Sequence, residues 1–287
     1  MTIRDLGYKP YEGDRLASRA RQMLLTKRSL ALAWAPGLVK ATMIVGLLPL
    51  LVCAVILYFK VKARMMIMGA GGPATADDAT NWIYYGIYWC QLWFAFAMSL
   101  LVAAPAVAGD VASGAFQFYF ARPITRGHYA AAKLVAAGVL VTLVVAIPGL
   151  LLAMLRLGLA KDGAEALGLL PYVLSALLFS VVMGLSLTLP ALALSALTRK
   201  PGYAQGGWSA IFFMPWVLGE GLAASADMPL LALFSLPTCL RLVGQGLFGI
   251  ERSYDLHILL PVGVVVAILS LSVWTLWSRL SRVEDLA

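Results

Sequence analysis

Charge is what this 287-residue chain has least of: Asp, Glu, Lys and Arg together make 13% of it, against 61% hydrophobic residues. So few charges cannot cover a soluble globular surface, which excludes an ordinary soluble domain and leaves an integral membrane protein. Histidine is nearly absent, with only His128 and His257, and no His-Glu-x-x-His pair or G-x-S-x-G elbow occurs. The two histidines fall on opposite sides of the expected topology, so neither a metal site nor a serine triad is expected. There is no GxxxxGK[ST] phosphate loop, so if ATP drives this protein another polypeptide binds it. The three cysteines, Cys53, Cys90 and Cys239, lack any paired spacing and read as packing residues.

The 22 basic residues outnumber the 14 acidic ones and leave a formal charge of +8. They stand at the ends of apolar runs, not in one stripe interleaved with aromatics, which excludes nucleic acid as a partner and points to membrane topology. Six runs are long enough to cross a hydrocarbon core of about 30 Å: residues 38–59, 82–108, 130–155, 170–197, 203–224 and 256–278. The expected fold is an all-α integral membrane protein, with residues 1–37 as a cytoplasmic tail and amphipathic helix and 38–287 as a six-span domain.

From Asp14, an N-cap residue type, Leu16, Ala20, Met23, Leu24, Leu30 and Trp34 recur at helical spacing, with Arg15, Arg19, Lys27 and Arg28 on the polar side. This reads as a helix lying in the membrane interface, or alternatively one packed on a partner. Pro36-Gly37 ends it. The charged segment before the first apolar run carries no small-residue cleavage site, so that run is expected to be retained as a span. Trp82, Tyr84, Tyr85, Tyr88, Trp89 and Trp93 crowd the start of the second run. They read as an interfacial aromatic belt, with the lining of a path as the alternative.

Residues 228–249 are apolar enough to suggest a seventh span, but Pro229, Pro237, three glycines and Arg241 oppose a continuous lipid-facing helix. Two short re-entrant or interfacial helices are expected there. With both termini in the cytoplasm, 15 of the 22 basic residues fall on the cytoplasmic side. Lys60, Lys62 and Arg64 run against that bias.

The stretch Gly109 to Lys133 interrupts the lipid-compatible sequence with Asp110, Arg122, Arg126, His128 and Lys133. A charge at the bilayer centre costs roughly 2.5 to 3.5 kcal/mol, so this stretch must lie in water or at the interface. Val111, Ala115, Phe118 and Phe120 approximate helical spacing, and Arg122-Pro123 stops the helix, because proline has no amide hydrogen and disfavours a helical residue before it. A short helix starting near Asp110, then a turn over residues 121–127, is predicted.

At these residues the chain resembles the permease subunits of ATP-binding-cassette transporters of the type 2 exporter superfamily. Their loop after the second span reads acid, Gly-Thr, an apolar run, Arg-Pro, a second basic residue and a lysine opening the third span. Here those positions are Asp110, Gly114, Ala115, Arg122-Pro123, Arg126 and Lys133. Aspartate replaces the commoner glutamate, and alanine the commoner threonine. The resemblance implies a permease without its own ATPase site, on which cytoplasmic ATPase subunits, carrying ATP and magnesium, dock at Asp110, Gly114, Phe116, Phe118, Arg122, Pro123 and Arg126. It also implies a second permease copy, the same or similar, with spans two and five lining an export path in the cell's inner (plasma) membrane.

Along that path the candidate polar groups are Gln91 and Ser99 of span two and Ser209 and Glu220 of span five. Intramembrane acids face a bundle interior or a cavity, which singles out Glu220, unless it simply reaches water at the outer interface. Two rival readings stay open: a membrane-anchored scaffold recruiting cytoplasmic partners through its basic face, and an intramembrane lipid-modifying enzyme. The second lacks a cluster of acids with a basic or hydroxyl partner.

Overall fold

Prolines, glycines and capping side chains divide the apolar sequence into helices, and a computed structural model of the chain describes residues 18–68, 78–115 and 125–284. In chain order the helices are α1 (Ser18–Trp34), α2 (Gly37–Val45), α3 (Leu48–Met68), α4 (Asp78–Val102), α5 (Ala106–Ala112), α6 (Arg126–Gly158), α7 (Gly163–Leu197) and α8 (Pro201–Ala226). A 3-10 turn, Pro229–Phe234, then leads to α9 (Leu236–Leu247) and α10 (Leu259–Glu284). No strand occurs among the described residues. Six helical stretches are long and apolar enough to cross a membrane: Gly37–Ala63, Asn81–Ala112, Arg126–Gly158, Gly163–Leu197, Pro201–Ala226 and Leu259–Ser281.

Burial ranks these spans. More than half of the apolar window in spans two, three and four is buried, against 11%, 17% and 22% in spans one, five and six. Spans three and four form the central antiparallel pair, with span two against span three and span six against span four. Small residues permit the approach. A Cβ on Gly184 of span four would stand 2.1 Å from Thr142 Oγ1 and 2.9 Å from Thr142 Cα of span three, so glycine is required for that contact.

Span one is not one straight helix. It breaks between α2 and α3, and Gln91 Nε2 of span two donates to the Gly46 carbonyl at 2.6 Å. A carbonyl released inside hydrocarbon must find a donor in a neighbouring helix, and Gln91 supplies it. Helix α1 packs on span three through a side that includes the buried Leu25 and Ser29, which leaves Met23, Leu24 and Trp34 exposed. Its residues before Ser18 lie outside the described residues.

Three boundaries and one assignment differ from expectation. Span four starts at Gly163, because Asp162 Oδ1 accepts the Glu165 amide at 2.8 Å and caps it, and Pro171 is carried inside the helix. Span three starts at Arg126, because Thr125 caps it by accepting from the His128 amide, so Arg126 and Gly127 are helical and not part of a turn. Span two extends through α5, and no new helix starts at Asp110. The tyrosines read as a belt are interior: Tyr84, Tyr85 and Tyr88 are buried, and Tyr88 donates to the Ala176 carbonyl of span four at 2.9 Å. Trp89 and Trp93 pack on Trp216 of span five, and only Trp82 keeps an exposed ring, at 50%.

Candidate functional site

The loop between spans two and three is held from below by two side chains. Pro105 interrupts the helix between α4 and α5, and the next two free amides, of Val107 and Ala108, both donate to Ser195 Oγ of span four, at 3.0 and 2.9 Å. A buried serine from another helix thus caps α5. Asp110 is the second anchor. Its Oδ2 accepts the Tyr129 hydroxyl at 2.6 Å and meets Lys133 Nζ at 2.7 Å, both from the start of span three.

Asp110 therefore does not open a helix. It sits in the last turn of α5, where the macrodipole disfavours an acid by roughly 0.3 to 1 kcal/mol. Lys133, with 12% of its side chain exposed against 18% for Asp110, offsets that cost. Gly114 then ends α5 with φ +69°, the left-handed geometry that glycine tolerates, and space for a Cβ there is open. At the far end Arg126 lies over the Trp277 ring of span six at 5.1 Å, which ties the loop to a third helix. Phe116, Phe118, Arg122 and Pro123 lie outside the described residues.

On the opposite side of the membrane domain, Glu220 is the centre of a polar node. Its Oε1 meets Arg241 Nη2 at 2.6 Å and accepts the Thr238 hydroxyl at 2.7 Å, and its Oε2 accepts the Tyr254 hydroxyl at 2.7 Å. Arg241 also lies over the rings of Trp89 and Tyr254, at 5.9 and 5.7 Å. Partial burial, and then the bond to Glu220, push the Tyr254 hydroxyl above its ordinary range, so it stays a donor at neutral pH. The node joins span five to α9 and to the segment after it, and α9 is buried for most of its length.

The other polar candidates are committed inside the chain. Gln91 and Ser99 are fully buried: Gln91 serves Gly46, and Ser99 Oγ accepts from Trp208 Nε1 at 2.9 Å. Ser209 is half-buried and donates to the Gln205 carbonyl at 3.0 Å. The structure brings Asp110 and Lys133 together and Glu220 and Arg241 together. Among the described residues no group of three or more His, Cys, Asp and Glu could hold a metal.

A sequence family described as ABC-2 family transporter protein matches residues 92–245, just over half of the chain. The match runs from the middle of span two, through the loop held by Asp110, to α9. Comparison with curated proteins gave no match.

Proposed function

Because the chain belongs to the ABC-2 transporter family, and is thus a multi-pass membrane permease of an ABC transporter, we propose that ATP hydrolysed on a separate cytoplasmic subunit moves it through the loop 110–126. Magnesium and ATP are bound on that partner. The observation that carries this reading is the Asp110 clamp, since a push on the loop reaches span three only if the loop's base is fixed to it. Gly114 permits close approach of the partner surface, Phe116 and Phe118 offer apolar area to a cleft on the ATPase, and Arg122, before the rigid Pro123, anchors the far end.

The permease works as an exporter in the cell's inner membrane, with both termini cytoplasmic and α1 lying at that interface. Two copies form a two-fold assembly around a path lined by spans two and five. Glu220 and Ser209 of span five, which are only partly buried, supply its polar contacts, whereas Gln91 and Ser99 are fully buried.

The test is purification with the ATPase. Arg122→Ala should keep the complex assembled and lower transport-linked hydrolysis several-fold. Gly114→Trp should reduce ATPase co-elution, and Gly114→Ala, which carries the backbone strain without the bulk, should not. Wild-type assembly and hydrolysis in both Arg122→Ala and Gly114→Trp would remove the loop from coupling.

A further inference from the structure

Spans five and six both pack on span four but make no sustained contact with each other among the described residues. A crevice of about 290 Å³ lies between them. Leu194 and Leu197 of span four, Ile211 of span five and Leu271 of span six wall it, and Phe234 and Leu236 reach it from the junction of the 3-10 turn with α9. Leu197, Ile211, Leu271 and Phe234 are 44%, 54%, 61% and 76% exposed, so the crevice opens on the surface of the chain.

Water finds no free side-chain donor there. Trp208 Nε1 donates to Ser99 Oγ at 2.9 Å, Ser272 Oγ to the Ile268 carbonyl at 2.7 Å and Thr275 Oγ1 to the Leu271 carbonyl at 2.8 Å. These bonds use the polar hydrogens of all three polar side chains in the wall. A buried water needs two to four polar partners, and an apolar cavity of about 150 Å³ stays dry and takes up benzene instead. A crevice of this size and lining is therefore filled by hydrocarbon, and around a membrane span the hydrocarbon at hand is lipid.

Charge identifies the lipid class. Spans four and six run parallel, so Leu197 and Thr275 point to the same membrane face. Arg199 and Lys200 stand two and three residues past Leu197, and Arg279 one turn beyond Thr275; all three are exposed. No carboxylate among the described residues pairs with any of them. Lys200 lies over the Tyr203 ring at 5.8 Å, on the same side.

We infer that this crevice holds one acyl chain of an anionic phospholipid of the bilayer, with its phosphate at Arg199, Lys200 and Arg279. The lipid acts as a wedge that keeps span five off span six, and its headgroup bridges the loop between spans four and five to the end of span six.

Wild-type protein equilibrated with equal phosphatidylglycerol and phosphatidylcholine should retain about one phosphatidylglycerol per chain in native mass spectrometry, at several-fold preference. Arg199→Gln, Lys200→Gln and Arg279→Gln combined should abolish the preference. Ile211→Trp with Leu271→Trp, which fills the crevice from two exposed positions, should abolish retention of both lipids. In the wild type, phosphatidylglycerol with a photoreactive acyl chain should crosslink within residues 194–211 and 268–275, an outcome that depends on no variant folding. Crosslinks confined elsewhere, equal retention of the two lipids, or undiminished retention in the tryptophan variant overturns the assignment.

Discussion

Glu220 holds Arg241 at 2.6 Å across 21 positions of chain, so the one acid deep in span five neutralises the one cation that interrupts the apolar run 228–249. The pair pins the segment after span five onto that span. Breaking a fully buried pair costs about 3 to 5 kcal/mol, because one charge is left uncompensated. Here the side chains are 20% and 28% exposed, which lowers the expectation to about 1 to 3 kcal/mol. Glu220→Gln and Arg241→Met should each reduce the melting temperature in detergent, and the double variant should lose less than the two together. Additive losses would show that the pair contributes nothing beyond its separate hydrogen bonds. Glu220→Gln should also lower transport by more than its stability loss explains, and wild-type transport by a normally expressed variant would take this residue out of the path.

Ser195 is a cap supplied from a distance, and its removal has two readouts. Ser195→Ala leaves the Val107 and Ala108 amides buried without an acceptor. Losing a cap of this kind costs typically about 1 kcal/mol, with about 2 as the upper end. The variant should melt lower and also hydrolyse ATP with weaker linkage to transport, since the base of the loop is loosened. Ser195→Thr, which retains the hydroxyl, should restore linkage more than stability, because its extra methyl enters a fully buried site. Unchanged melting of Ser195→Ala would mean that those amides find another acceptor at no cost.

The spans were legible because hydropathy over about 20 residues is a sum, and a sum survives local irregularity. Their ends depend on single side chains. Asp162 and Glu165 form an acid-x-x-acid start signal that was readable and moves span four seven residues earlier than hydropathy alone places it. The break at Gly46 was not readable, since a glycine in an apolar run signals a kink only when a donor such as Gln91 stands across from it, 45 positions away. Tyr84, Tyr85 and Tyr88 have the composition of an interfacial belt, and only the packing of span two against span four shows that they face inward. The acids and bases were legible as functional types but not as pairs. Asp110 with Lys133 and Glu220 with Arg241 are relationships between helices, which no local spacing encodes.

Orientation follows from basic residues and can be read chemically. Single cysteines at Ala74, Ser113 and Ser225, in a background without the native three, report on the loops between spans one and two, two and three, and five and six. An impermeant thiol reagent on intact cells should label the cysteines at 74 and 225 and spare the one at 113. Ser113 and Ser225 are exposed in the structure, so protection at either reflects the membrane and not burial in the protein. Labelling at 113 with protection at 74 reverses the topology.

Asp110 and Lys133 distinguish two ways in which the loop between spans two and three can serve an ATPase. If the acid contacts the partner directly, Lys133 is a bystander; if the pair is an internal strut, both members matter equally. The geometry favours the strut, because Oδ2 of Asp110 already meets both Lys133 and the fully buried Tyr129. Asp110→Asn keeps an acceptor for Tyr129 while removing the charge opposite Lys133, and Lys133→Met removes the cation with little change in length. Each should cost about 1 to 2 kcal/mol of stability and lower transport-linked hydrolysis several-fold, with the ATPase still co-eluting. The double variant leaves no lone charge in the half-buried site and should recover part of both losses. Steady-state hydrolysis with and without the transported substrate, measured on the four complexes in parallel, checks this. A Lys133→Met complex that couples as the wild type does, beside an Asp110→Asn complex that has shed its ATPase, would move Asp110 from the strut to the docking contact itself.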